Sequence, residues 1–370
     1  MIKPFKIALF LIAVQAVLAA IVFGFPKSGI HLWGDYFISF SKPTDFYPEK
    51  TRELEVLSQV SKTYSLEELE EDTLQASSID SSILQQALIL NDKERIIHPS
   101  DFENGLYSFY RKLSKINSLS KPLRIMHFGD SQLEGDRISG VIRENLQTLF
   151  GGCGVGFIPI SETNTGRLSV LKNENGWERY QVFGKGRKGM HSRYGFMGYY
   201  YKVGKDTTAQ KSAKIEIRKN GRYFKKAQNF EQISLLYANS AEKVDYELKT
   251  DTGTVSKGNL IASEDVNRRI WQMNGFSTGK ISLFLETVNS PDFYGVSLDC
   301  RKGVAVDNIA LRGSSGTEFT KINRKYLSKQ LKSLNVGLII FQFGLNVVPS
   351  ELKSYNFYEK AMYRQLKLLK

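Results

Sequence analysis

Three kinds of hydrophobic pattern follow one another along the chain. The first is an uncharged run, residues 7–25 (IALFLIAVQAVLAAIVFGF). As a helix it would measure about 28 Å, close to the thickness of a bilayer core. Residues 27–99 then show weak periodicity and an acidic stretch, Glu67 to Asp72, and read as a stem carrying short helices, its charges first of all a solvated spacer. The second pattern starts at Ser100, which with Glu103 forms a capping box ahead of Leu106, Phe109, Tyr110 and Leu113 at helical spacing. Residues 123–128 (LRIMHF) predict a short buried strand, and Ile138, Val141, Ile142, Leu146 and Leu149 a helix that stops at Gly151-Gly152. Strand, turn and helix open an α/β unit. The third pattern alternates with period two: AKIEIRK (213–219), KVDYELK (243–249) and KISLFLETV (280–288), with Asn220-Gly221 as a hairpin signal. From 303 the second pattern returns. GVAVDNIAL (303–311) predicts a strand, 317–334 a helix with Leu327, Leu331 and Leu334 inward, and VGLIIFQF (336–343) a strand buried on both faces. The final segment, Tyr355 to Lys370, reads as a helix.

These patterns divide the chain into a membrane anchor or signal segment (1–26), a stem (27–99), an α/β domain in two parts (100–174 and 301–370) and an inserted antiparallel β domain (175–300). A length of 370 residues agrees with more than one domain. Lys3 and Lys6 ahead of the apolar run keep the N-terminus cytoplasmic and place everything after Pro26 outside the cytoplasm. Leu18-Ala19-Ala20 is a poor cleavage site, so an uncleaved anchor is favoured over a secreted form. The net charge of +13 favours anionic partners, but it is spread along the chain and no nucleic-acid motif accompanies it. Two cysteines, Cys153 and Cys300, exclude a disulfide scaffold and a Cys-rich zinc module. An oxidising compartment would let them pair, though the sequence does not show their distance. Four histidines (His31, His98, His127, His191) leave few ligands for a metal, and none is implied.

Three loops each follow a predicted strand: Gly129-Asp130-Ser131-Gln132, Arg312-Gly313-Ser314-Ser315-Gly316 and Gly344-Leu345-Asn346. In open α/β sheets ligands bind outside the carboxyl ends of the strands, so parallel strands would bring all three to one crevice. A serine, glycine-lined N–H donors and an asparagine amide are what acyl transfer needs. The hydroxyl attacks once a base takes its proton, and preorganised donors hold the oxyanion of the tetrahedral intermediate.

HFGDSQLEGDR, GSSG and FGLN resemble, in order and placement, three motif blocks of the SGNH (GDSL-type) serine esterases. The resemblance covers roughly residues 100–350, and the stretch RIMHFGDSQLEGDRISGVIRENLQTLFGG is similar to exported bacterial carbohydrate O-acetylesterases of this group. It implies a three-layer flavodoxin-like α/β sandwich, incomplete at its C-terminus, with an inserted β-sandwich that can bind carbohydrate. It also implies Ser131 as nucleophile, with Gly316 and Asn346 as oxyanion donors and Gly313 as the fallback for Gly316. The expected substrate is an O-acetylated peptidoglycan or exopolysaccharide, with no metal or organic cofactor and no nucleic acid. Transfer of the acyl group to a sugar hydroxyl is the close variant. One departure stands out: the family takes its base from a later Asp-x-x-His block, and no histidine follows His191. A shortened version of a longer enzyme is favoured; the alternative is a non-catalytic, glycan-binding relative.

The remaining candidates have plainer readings. Asp130 is a turn or capping residue before it is a catalytic acid. His127, on a strand, should point away from the following turn and be a satisfied core histidine. His191 in GMHSRYG is a weak candidate for substrate contact. Gly152, Gly154 and Gly156 follow a helix, whereas a dinucleotide fingerprint follows a strand, so they form a plain loop. Trp177 and Trp271 can stack on sugars but by default pack the core.

Overall fold

The computed structural model describes residues 10, 12–15, 30–33, 36–38, 103–162, 166–204, 210–273, 279–347 and 353–369. The chain divides into two compact units, Met1–Arg95 and Ile96–Lys370. In the first, strands β1 (Ile30–Trp33) and β2 (Tyr36–Ile38) pair antiparallel. Most of the stem, the Ser100 half of the capping box and most of the 7–25 run lie outside the described residues. Among the described residues no helix is long and apolar enough to cross a membrane. The expected anchor, and with it the placement of the chain outside the cytoplasm, is therefore withdrawn.

The second unit is mostly β-sheet. Helix α1 (Glu103–Ser114) leads into strand β3 (Leu123–Gly129), and a 3-10 turn (Ser131–Asp136) leads into helix α2 (Arg137–Phe150). Then come β4 (Gly156–Ile158), β5 (Val170–Asn175), β6 (Trp177–Gln181), β7 (Tyr199–Val203), β8 (Lys211–Lys219), β9 (Gln232–Ala238) and β10 (Val244–Thr250). They are followed by β11 (Gly253–Leu260), β12 (Asn267–Gln272), β13 (Lys280–Thr287) and β14 (Asp292–Asp299). The unit closes with β15 (Val304–Ala310), α3 (Arg324–Ser333), β16 (Val336–Gln342) and α4 (Asn356–Leu369).

Two antiparallel sheets account for most of these strands, in the orders β11-β10-β13-β8-β5 and β12-β9-β14-β7-β6, with β4 added to β14. The parallel sheet holds three strands, β15-β3-β16. This corrects the expected fold class: the unit is not a helix-rich flavodoxin-like sandwich but antiparallel β-sheet with a small parallel sheet beside it. The strand–turn–helix signals around 123–150 and 303–343 are real local structure. They were extended to a doubly wound sheet that the described residues do not form. A second correction concerns Asn220-Gly221. The strands on either side, β8 and β9, belong to different sheets, so this segment carries the chain across the sandwich instead of closing a hairpin. Asn220 Nδ2 secures that crossing by donating to the carbonyls of Arg167 and Leu168 at 3.2 and 2.8 Å.

Strand β3 is buried throughout, and its alternation explains how the sheet is covered. Leu123 and Ile125 pack with Phe109 and Leu113 of α1 and with Ile142 and Leu146 of α2. Met126 and Phe128 join the larger core that includes the sandwich, Phe319 and Phe341. Arg124, fully buried, ties the two parts together. It donates to Asp299 of β14 at 2.6 Å and to Asp307 of β15, and its guanidinium lies 4.9 Å from the Phe157 ring centroid. Close approach of α2 and β15 needs glycine at 152, where φ is 106° and a Cβ would lie 2.4 Å from the Val304 carbonyl oxygen. Cys153 and Cys300 form a disulfide just beyond this point. β16, at the end of the parallel sheet, is half-buried along its length.

Candidate active site

Register sets the geometry of the site. β15 and β16 both run parallel to β3, and Ala310, Gly129 and Gln342 sit at one level across the three strands. The loops that follow them therefore leave from the same edge of the sheet. They carry Ser131, Gly313 to Gly316 and Asn346.

The turn after β3 is tight because Gly129 has no side chain: a Cβ there would lie 2.7 Å from Leu133 and 2.8 Å from the Gln342 carbonyl oxygen. Asp130, fully buried, caps the 3-10 turn, its Oδ1 accepting from the Gln132 N–H at 2.9 Å. Ser131 follows as the first residue of that turn and is exposed. The far end of the turn is anchored by Asp136, a buried residue in the left-handed region at φ 61°. Its carboxylate accepts from Arg143 at 2.6 and 3.1 Å and from Asn308 Nδ2 at 3.0 Å. Burial alone would raise the Asp136 pKa, but the Arg143 guanidinium outweighs it and holds the carboxyl below its ordinary value. At the rim, Arg312 forms a two-pronged pair with Glu134 at 2.7 and 2.5 Å, joining the loop after β15 to the serine turn.

Ser314 organises the second and third loops. Its buried Oγ accepts from the Gly316 N–H at 2.9 Å and donates to Glu318 Oε2 at 2.7 Å, and its carbonyl accepts from Asn346 Nδ2 at 2.8 Å. Both donors expected from the sequence, Gly316 and Asn346, thus converge on one residue. Gly313 and Gly316 have φ of 77° and 79°. Gly313 faces open space, whereas a Cβ on Gly316 would lie 2.6 Å from the Phe343 ring. Tyr358 of α4 closes the group by donating to the Ser315 carbonyl at 2.9 Å, and burial raises the pKa of its phenol.

Neither His127 nor His191 bonds to Ser131. His127 is buried, with Nε2 3.0 Å from Gln342 Oε1 and Nδ1 3.0 Å from Ser139 Oγ; burial lowers its pKa. His191 lies on the sandwich side, Nε2 3.2 Å from the buried Asp292, its ring stacked at 4.6 Å on Tyr200. Trp177 and Trp271 are core residues. Ser314, Glu318, Gln342 and Tyr358 were missed by the sequence reading. Only Ser314 carried any local signal, as part of GSSG. The described residues contain no group of acidic, histidine or cysteine side chains able to hold a metal.

No protein-family model matches the chain, and no curated protein matches it either. Among solved structures it is similar to a peptidoglycan O-acetylesterase, at 15% identity and a TM-score of 0.52, over 71% of this chain and 67% of that one. A family 32 carbohydrate-binding module from C. perfringens in complex with galactose matches 39% of this chain and 98% of its own, at 10% identity and a TM-score of 0.26. The first likeness is one of fold: the chain has an esterase-like fold.

Proposed function

We propose that the chain is a serine esterase acting on O-acyl groups, acetyl above all, of a glycan such as peptidoglycan or exopolysaccharide. The observation that carries this reading is the common level of Gly129, Ala310 and Gln342, which sends an exposed serine and two donor loops out from one sheet edge. The O-acetylesterase of similar fold adds the substrate class. In the proposed reaction the Ser131 Oγ attacks the ester carbonyl as its proton passes to a base. The oxyanion is held by the N–H of Ser131, the N–H of Gly316 (Gly313 as fallback) and the Asn346 amide. The sugar oxygen leaves with a proton, and water, or a second sugar hydroxyl, takes the acyl group from the serine. Asp130 shapes the turn through its cap and Asp136 fixes its other end. His127 is not the base in this scheme, because both ring nitrogens are bonded inside the core.

The test is acetate release from an aryl acetate and from an O-acetylated glycan, combined with fluorophosphonate labelling read by peptide mass spectrometry. The expected result is serine-dependent release and one label on the Ser131 peptide, both lost in Ser131→Ala. Absence of labelling together with absence of serine-dependent release would overturn the esterase reading. A folded chain that then still bound the glycan would be a binding relative, a reading favoured by the engagement of His127 and His191 elsewhere.

A further inference from the structure

A row of polar side chains inside the parallel sheet has no part in the proposed reaction, yet it ends beside the nucleophile. His127 lies two residues after Ile125 on β3, and Gln342 two after Ile340 on β16, so both face the side of the sheet that α1 and α2 cover. Ser139 Oγ of α2 lies 3.0 Å from His127 Nδ1, and His127 Nε2 lies 3.0 Å from Gln342 Oε1. Gln342 Nε2 then donates to Gln132 Oε1 at 3.3 Å. Four side chains, from α2, β3, β16 and the serine turn, thus run from the core to the residue that follows Ser131.

The direction of the row follows from its buried end. Ser139 is fully inaccessible, and among the described residues its hydroxyl bonds to His127 alone. The hydroxyl proton therefore goes to Nδ1, since a reversed row would leave it buried without an acceptor. A neutral imidazole that accepts at Nδ1 carries its proton on Nε2. Burial favours that neutral ring by lowering the His127 pKa. The Nε2–H donates to Gln342 Oε1, which turns the Gln342 amino group toward Gln132, and Gln132 receives it on its carbonyl. The Gln132 backbone N–H is spent on Asp130 Oδ1 at 2.9 Å. What remains is the Gln132 side-chain amino group, on an exposed residue, with no acceptor among the described residues.

We propose that Gln132 is a substrate-binding residue of fixed polarity, whose amino group donates to a neutral oxygen, hydroxyl or acetamido carbonyl, of the sugar that carries the acyl group. Ser139, His127 and Gln342 are positioning residues that hold its carbonyl inward. A free glutamine amide turns either end to a ligand; this one presents donors alone, already oriented, so less ordering is lost on binding. The proposal rests on the esterase reading for the identity of the sugar. Its polarity rests on the row itself.

The experiment has two parts. Nitrogen-15 NMR of the full chain labelled in histidine reads the tautomer at pH 7. His127 is expected neutral with its proton on Nε2; a proton on Nδ1 would reverse the row and overturn the proposal. The full chain, as Ser131→Ala so that no turnover intervenes, is then titrated with O-acetylated N-acetylchitotriose while the Gln132 side-chain amide signals are followed. A saturable shift of those signals is expected, with Kd raised about tenfold by Gln132→Met, the effect of one hydrogen bond. Gln342→Met, which cuts the row and leaves Gln132 in place, should raise Kd severalfold. Absence of saturable binding, binding without a shift at Gln132, or an unaltered Kd in folded Gln132→Met or Gln342→Met would each overturn the proposal. Aryl acetate hydrolysis by the unaltered chain is read separately, so failure of the esterase reading and failure of the donor remain distinct.

Discussion

Replacing Asp136 with asparagine keeps the shape of the side chain and removes its charge, which isolates the anchor of the serine turn. Asp136 and Arg143 are both essentially inaccessible, and the carboxylate takes two bonds from the guanidinium and one from Asn308. Without the charge, a buried guanidinium is left uncompensated, at a cost of about 3–5 kcal/mol. An amide group turned toward Arg143 also sets donor against donor. For a body of this size that loss is equivalent to a fall in Tm of about 10 °C. The pH dependence supplies a second readout. Asp136 has its pKa lowered from 3.8 in the fold, so its contribution is in place above that value and is lost as pH falls through the lower folded value. Asp136→Asn should therefore be much less stable at neutral pH and lose part of the acid limb of the stability curve. Urea unfolding at pH 7 and at a series of values below 4 measures both. Asp136→Asn with Arg143→Met should recover much of the loss, because no orphan charge remains. A single-mutant loss below about 1 kcal/mol, or no recovery in the double mutant, would refute the argument that the pair is buried and mutually dependent.

Other expectations are shorter. Asn346→Ala should lower kcat for ester hydrolysis by about 10²- to 10³-fold, the usual cost of one oxyanion donor, without comparable loss of stability. Gly316→Ala should be both less stable and less active, since φ is 79° and the new methyl meets Phe343; circular dichroism and acetate release separate the two effects. Reduction of Cys153–Cys300 opens a link across 147 residues and should lower stability by about 5 kcal/mol on the loop-entropy view, seen as a drop in Tm with dithiothreitol. His127 has its pKa lowered from 6.5 by burial, so the folded state binds its proton less readily than the unfolded chain. Stability should fall as pH drops below 6.5 toward the folded value, and His127→Gln should flatten that slope in urea titrations.

What the sequence made legible was local. LRIMHF announced β3, the apolar spacing after Ile138 announced α2, and the glycines at 151 and 152 its end. The alternating segments at 213, 243 and 280 became β8, β10 and β13. Periodicity reports which face of an element meets a core, not which neighbour it meets. The partition of strands between two antiparallel sheets and one parallel sheet, and the crossing at Asn220, were therefore hidden, and the fold class was read wrongly. Arg124 shows the same limit inside the core: its partners Asp299 and Asp307 lie 175 and 183 residues away in sequence. Around the site, motif spacing singled out Ser131, Gly316 and Asn346. It gave no hint that Ser314 holds the last two or that Glu318 and Tyr358 fasten the loop. Those are single polar side chains with no pattern around them.

The grip of Ser314 on Gly316 bears directly on how the proposed oxyanion donors act. In the free protein the Gly316 N–H is bonded to a neutral hydroxyl at 2.9 Å, a bond worth about 1 kcal/mol net. An oxyanion competes for the same N–H with a charge-assisted bond worth about 1.5–3 kcal/mol. The intermediate can thus take the donor from Ser314, with a surplus of about 1 kcal/mol. Ser314→Ala removes the competitor and leaves the Asn346 contact, which uses the backbone carbonyl, in place. If Gly316 is the donor, kcat/KM should hold or rise by up to about fivefold. Stability should fall by about 1–3 kcal/mol, because the N–H is left without its bond and Glu318 loses a donor. If Gly313 is the donor instead, the surplus never arises and kcat/KM should not rise. A fall of more than tenfold in a folded Ser314→Ala protein would refute the competition argument altogether. It would show that the hydroxyl serves to hold the loop in its working shape.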